Sequence, residues 1–96
     1  MQAISFKREF PNFDPATMPE IPSGFTDSSW HNDICPSFYD EARKLRLFIN
    51  YLDPEERELP FKRFIVDRFD QWTDTEGVLL LETEDWNEVL NFISQI

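Results

Sequence analysis

The chain of 96 residues carries 19 Asp+Glu against 9 Lys+Arg, a formal net charge of −10 and a sequence pI near 4.3. A chain this acidic excludes direct binding of nucleic acid or an anionic membrane through bulk electrostatics, because both need a basic footprint. With 41% hydrophobic residues and ten Phe it is not disordered, and its length suits one small core with no room for a dinucleotide-binding domain.

In chain order, residues 3–9 read as a short strand that opens an extended arm over residues 1–33. Five of the seven prolines (Pro11, Pro15, Pro19, Pro22, Pro36) lie between residues 11 and 36, where each fixes φ and removes a backbone donor. Phe10, Phe13, Met18, Ile21, Phe25, Trp30 and Ile34 recur through the same stretch, so the arm is expected to pack across the core. Residues 34–39 form a strand candidate. Residues 44–51 alternate, with Leu45, Leu47, Ile49 and Tyr51 on one face and Lys44, Arg46 and Asn50 on the other. A polar connection over 53–58 follows, with a helical turn that Pro54 opens at its first position. Residues 61–69 make a third strand of mixed alternation. Residues 74–77 read as a turn, with Gly77 supplying positive φ, and the run Val78-Leu79-Leu80-Leu81-Glu82 as a buried strand. Thr83 or Asp85 caps the last element, where Asp85 and Glu88 fit a capping box. Trp86, Val89, Leu90, Ile93 and Ile96 then keep helical spacing over 84–96. Strands over 34–82 followed by one terminal helix predict a single α+β domain: a small antiparallel sheet of three to four strands with the helix packed on it.

One cysteine, Cys35, excludes an internal disulfide. The N-terminus has no apolar run of signal-peptide length, and the longest such run, residues 78–81, is far short of a membrane span. These features predict a soluble, cytoplasmic protein.

The run Ser29-Trp30-His31-Asn32-Asp33-Ile34-Cys35-Pro36-Ser37-Phe38 holds the sole His and the sole Cys, four residues apart with Asp33 between them. A thiolate–imidazole pair oriented by a carboxylate is what nucleophilic catalysis needs. On an extended, Pro-bounded segment such neighbours need not face each other. The favoured reading is therefore a small buried Cys, with His31 and Asn32 satisfying loop backbone groups. One His and one Cys do not fill a zinc site, no EF-hand loop occurs, and Gly24 and Gly77 stand in no phosphate-cradling pattern. No catalytic, cofactor-binding or metal-ligating residue is assigned.

The acidity is uneven. Residues 1–48 hold seven acids and five bases, residues 49–96 twelve acids and four bases, and from Asp70 onward no Lys or Arg occurs. Two groups stand out: Asp53, Glu55, Glu56 and Glu58, and then Asp70, Asp74, Glu76, Glu82, Glu84, Asp85 and Glu88. Some of these charges serve helix capping and solubility. Spread over one face, the rest could occupy a site lined with the Lys and Arg rows that bind nucleic acid.

The Trp-His-Asn-Asp-x-Cys-Pro-Ser block, the preceding Gly24-Phe25 pair and the helix start Asp85-Trp86-Asn87-Glu88-Val89-Leu90 resemble a layout found in small uncharacterised bacterial, plasmid and prophage proteins. The resemblance covers most of residues 20–96 and implies a common fold without an established activity. By size and acidity the chain also looks like phage-encoded inhibitors of host defence, anti-CRISPR proteins among them, several of which imitate DNA. That likeness is one of type and assigns no residue roles. Together these features predict a non-enzymatic, DNA-mimic-like inhibitor binding a basic nucleic-acid-binding surface, such as that of a CRISPR effector complex, through the eleven carboxylates named above. The alternative is a small protein–protein interaction domain whose aromatic surface (Phe25, Trp30, Phe38, Trp72) makes the contact.

Overall fold

The structure is a computed structural model and describes residues 5–96. A five-stranded antiparallel sheet runs in sequence order: β1 (Thr26–Asp27), β2 (Ser37–Asp40), β3 (Leu45–Ile49), β4 (Phe64–Arg68) and β5 (Val78–Thr83). Helix α1 (Phe6–Glu9) precedes it and α2 (Trp86–Ser94) follows it. The α+β class and the terminal helix match the sequence reading. The sheet, however, has five strands rather than three or four. The extra one, β1, is two residues long and pairs Thr26 with Tyr39 and Asp27 with Phe38. Two residues are too few for alternation to be visible in sequence.

The segment before β1 is not one extended arm. Where a strand is predicted over 3–9, Ser5 caps α1 by accepting from the Lys7 amide at 3.3 Å, and Lys7, Arg8 and Glu9 are good helix formers. Residues 3 and 4 lie outside the described residues. Further on, the Asp14 carboxylate accepts from the Ala16 amide at 3.0 Å and Pro15 opens a 3-10 turn over Pro15–Thr17. Proline breaks helices from inside but suits their first position, which the count of prolines alone does not reveal. Pro54 acts in the same way and opens the 3-10 turn Pro54–Glu56, as the sequence predicts, while the structure adds the Asp53 carboxylate as its cap, accepting from the Glu55 amide.

Within β3 the alternation holds, with Leu45, Leu47 and Ile49 buried and Arg46 and Phe48 only partly so, but past Ile49 it fails: Asn50, expected on the polar face, is buried, and Tyr51 is only partly so. Across the sheet Leu47 stands between Phe38 and Val66, and Ile49 beside Phe64. These side chains, Val89 and Ile93 of α2, and Phe10 and Phe13 from the N-terminal segment form one core. Each such buried side chain contributes about 1.5–3 kcal/mol over its exposed state. Phe13 anchors its segment through Phe6 and Tyr51, with ring centroids 5.7 and 5.3 Å apart.

The Asp85 carboxylate caps α2 by accepting from the Asn87 amide at 2.9 Å. Thr83 Oγ1 accepts from the Asp85 amide at 3.0 Å, the place a capping-box Glu88 would fill, so both cap candidates are used and the box is not closed. The apolar stripe is narrower than its spacing suggests. Val89 and Ile93 are buried and Trp86 packs on Phe64 at 5.0 Å, but Leu90 and Ile96 face solvent.

Two further expectations fail at β5. It is the edge of the sheet rather than a buried strand, and Val78 and Leu79 are 51% and 59% exposed. An apolar run signals a strand but not its place in the sheet. Gly77 does not adopt positive φ. Among the described residues Gly24 is the one glycine that does, at 97°, while Lys44 takes a φ of 57° at the β2–β3 turn. Among the described residues no helix is long and apolar enough to cross a membrane.

Candidate functional site

The Trp30–Phe38 run holds no nucleophilic pair. His31 is exposed, and its Nδ1 lies 2.9 Å from Glu9 Oε1, which also accepts from the His31 amide at 3.2 Å. Its ring packs on Trp30, centroids 4.2 Å apart. The partner of His31 is thus a carboxylate from α1 rather than a loop backbone group. Cys35 is fully buried, and burial, reinforced by the Asp33 charge, pushes its thiol from an ordinary 9.0 up to about 12. A thiol held protonated at neutral pH is a poor nucleophile. Among the described residues no group of three or more His, Cys, Asp or Glu is placed to hold a metal ion.

Cys35 has a measurable consequence. Its folded pKa exceeds the unfolded one, so its neutral form contributes stability that is complete below about pH 9 and lost as pH climbs toward 12. Tyr51, raised chiefly by burial, adds to the same alkaline slope. We expect Cys35→Ala to flatten that slope in urea unfolding between pH 8 and 10, and thiol labelling of the folded wild type to proceed only at the rate of opening. Labelling as fast as in the urea-unfolded chain would contradict the burial account.

The acidic residues divide according to topology. The loop after β3 (residues 50–63) and the junction between β5 and α2 meet at one end of the sheet, because Ile49, Phe64 and Thr83 are neighbours across β3, β4 and β5. That end gathers eight of the eleven carboxylates predicted from sequence: Asp53, Glu55, Glu56, Glu58, Glu82, Glu84, Asp85 and Glu88. Asp70, Asp74 and Glu76 follow β4 at the opposite end, about 13 Å away along five residues of strand. There Asp70 and Asp74 accept from backbone amides of their own turn.

At the crowded end the carboxylates have different duties. Asp53 and Asp85 cap. Glu82 Oε2 accepts from the Lys62 amide at 2.9 Å, and Glu84 pairs with Arg57 at 2.8 and 3.2 Å while accepting from the Arg63 amide. The hydrogen bonds from Arg57 hold the Glu84 carboxyl below the ordinary range. The carboxylates of Glu55, Glu56, Glu58 and Glu88 make no ion pair or side-chain hydrogen bond among the described residues. The local cations do not cancel them. The Arg57 side chain is 4% exposed and directed inward, and Arg63 is turned to the Thr17 carbonyl, which leaves Lys62 as the exposed cation of the loop.

Of the aromatic residues expected at a contact surface, Phe38 belongs to the core and Phe25 packs against it. Trp30 and Trp72 are exposed, at 51% and 75%. The Trp72 Nε1–H donates to Glu41 Oε1 at 3.2 Å, which ties it to the β2–β3 turn.

A third surface was not anticipated. The sheet face opposite α2 carries a groove of about 280 Å³ lined by Ile34, Phe48, Phe61, Ile65 and Leu79. Phe48 and Ile65 are direct cross-strand partners on positions that alternation assigns to the polar face. Those two apolar exceptions were the available signal, and Ile65 is what blurs the pattern of the third strand. Beside the groove Arg46 forms a bidentate pair with Asp67 at 2.9 and 2.6 Å and lies 3.8 Å over the Phe69 ring. Compared with known proteins, the chain matches no family model, no curated protein and no solved structure.

Proposed function

We propose that the chain is a non-enzymatic, cytoplasmic binding protein whose acidic end engages a basic, nucleic-acid-binding surface on a protein partner, as a DNA-mimic inhibitor of a CRISPR effector complex would. The observation that carries this reading is the gathering of eight carboxylates at one end of the sheet, with Glu55, Glu56, Glu58 and Glu88 unpaired among the described residues. Binding gains from the release of counterions held by the partner's Lys and Arg rows and weakens as salt rises.

The test is competition with DNA for purified CRISPR effector complexes at 50 and 200 mM salt. The wild type is expected to displace DNA and to lose about tenfold or more in affinity between the two salts. The Glu55→Lys/Glu56→Lys/Glu58→Lys/Glu88→Lys variant, with an unchanged circular dichroism spectrum, is expected to fail. Displacement by the charge-reversed variant at wild-type affinity overturns the reading. The exposure of Trp30 and Trp72 favours a second reading, an aromatic-anchored interaction domain, which predicts binding that is insensitive to salt and lost in Trp72→Ala.

A further inference from the structure

The groove opposite α2 combines two features that together specify a ligand chemistry. Its wall is hydrocarbon: Phe48 and Ile65 from the sheet, Ile34 before β2, Phe61 before β4 and the exposed Leu79 of β5. Among the described residues its polar side chains are both carboxylates, Asp67 and Glu82, and no Lys or Arg lines it. Asp67 is already neutralised by Arg46. Glu82 spends Oε2 on the Lys62 amide, while Oε1 has no partner among the described residues.

An apolar trough with an unneutralised carboxylate repels anions and gives a purely apolar chain no polar partner. A second copy of this chain is disfavoured by charge, because its second half holds twelve acids against four bases and would meet itself at the groove. What fits is a long side chain with an aliphatic stem and a cationic head, the stem lying on hydrocarbon and the head on the carboxylate. We propose that this groove receives a Lys or Arg side chain presented by a basic protein partner, with its stem against Phe48, Ile65 and Leu79 and its head on Glu82. The proposal rests on the reading above for the nature of the partner and adds a specific anchoring site, distinct from the carboxylates of residues 55–58.

The experiment titrates the isotope-labelled full chain with pentylguanidinium at low salt and follows amide shifts, with pentanol and pentanoate as matched controls. Saturable shifts at Phe48, Ile65, Leu79 and Glu82 are expected with the guanidinium, at least about fivefold weaker with pentanol and absent with pentanoate. Glu82→Gln is expected to weaken the guanidinium about fivefold, and Leu79→Trp, which fills the trough from an exposed position, to abolish it. Equal binding of pentanol, shifts confined to other acidic residues, or no saturation each overturn the proposal. So do concentration-dependent shifts of the same amides without probe, which would place a second copy in the groove. The two readings fail separately. Saturation of the groove with no effector binding overturns the inhibitor function alone, whereas effector binding that survives Leu79→Trp and Glu82→Gln at full affinity overturns the groove alone.

Discussion

Gly77→Ala is expected to lower the free energy of unfolding by about 2–4 kcal/mol, although the backbone there can accommodate any residue. A Cβ at this position would stand 1.9 Å from Asp67 Oδ2 and 2.6 Å from Arg46 Nη2. Neither group can step aside freely. Asp67 sits in β4 between Arg46 and Leu79, its side chain 11% exposed, and the Arg46 guanidinium lies between Phe69 and Phe48 at 3.8 and 5.2 Å. Displacing either one leaves a largely buried charge without its partner, which costs more than the up to about 1 kcal/mol that alanine gains by stiffening the unfolded chain. A double-mutant cycle isolates the cause. In an Asp67→Ala background the added cost of Gly77→Ala should fall below about 1 kcal/mol, because the nearest obstructing atoms are gone. Equal cost in both backgrounds would show that the ion pair is not what excludes the methyl group.

Gly77 also marks the boundary of what the sequence discloses. Its residue type signals a special position, but positive φ and close approach leave the same letter in the chain, and only the packing of Asp67 separates them. Properties carried by neighbours in sequence were legible: the β3 alternation, the turn opened by Pro54, and the Asp85 start of α2. Properties set by partners distant in sequence were not. β1 exists because Thr26 and Asp27 find β2, and β5 is half exposed because, among the described residues, nothing pairs beyond it. The acidic residues were legible one by one, while their division between two ends follows from the order of strands. Phe48 and Ile65 are informative for the opposite reason. Each breaks the alternation of its own strand, and together they line the open groove.

Arg57→Ala is expected to cost about 3 kcal/mol and to loosen the acidic end as a unit. The guanidinium donates to the carbonyls of Tyr51 at 2.8 Å, Phe61 at 3.0 Å and Leu52 at 3.4 Å, and to both oxygens of Glu84. It therefore closes the loop over residues 50–63 on itself and ties it to the start of α2. Because the Glu84 side chain is 55% exposed, the ion pair is expected to supply no more than about 1 kcal/mol of this; the carbonyl contacts and the buried stem supply the rest. Arg57→Lys should recover little, since one ammonium cannot span carbonyls on both sides of the loop. Glu84→Gln should cost less than about 1 kcal/mol. The pH dependence has a definite sign. Glu84 is held below its unfolded value, so its share is present above pH of about 4 and lost as pH falls through the lower folded value. Urea unfolding gives the totals, and hydrogen exchange gives the location: amides of residues 50–63 should lose protection in Arg57→Ala while those of β3 and β4 keep theirs relative to global stability. If Arg57→Ala and Glu84→Gln prove equally costly, the surface ion pair rather than the carbonyl clamp holds this end together. The acidic end would then be expected to loosen only as pH falls below about 4, which the clamp, made of groups that do not titrate there, would resist.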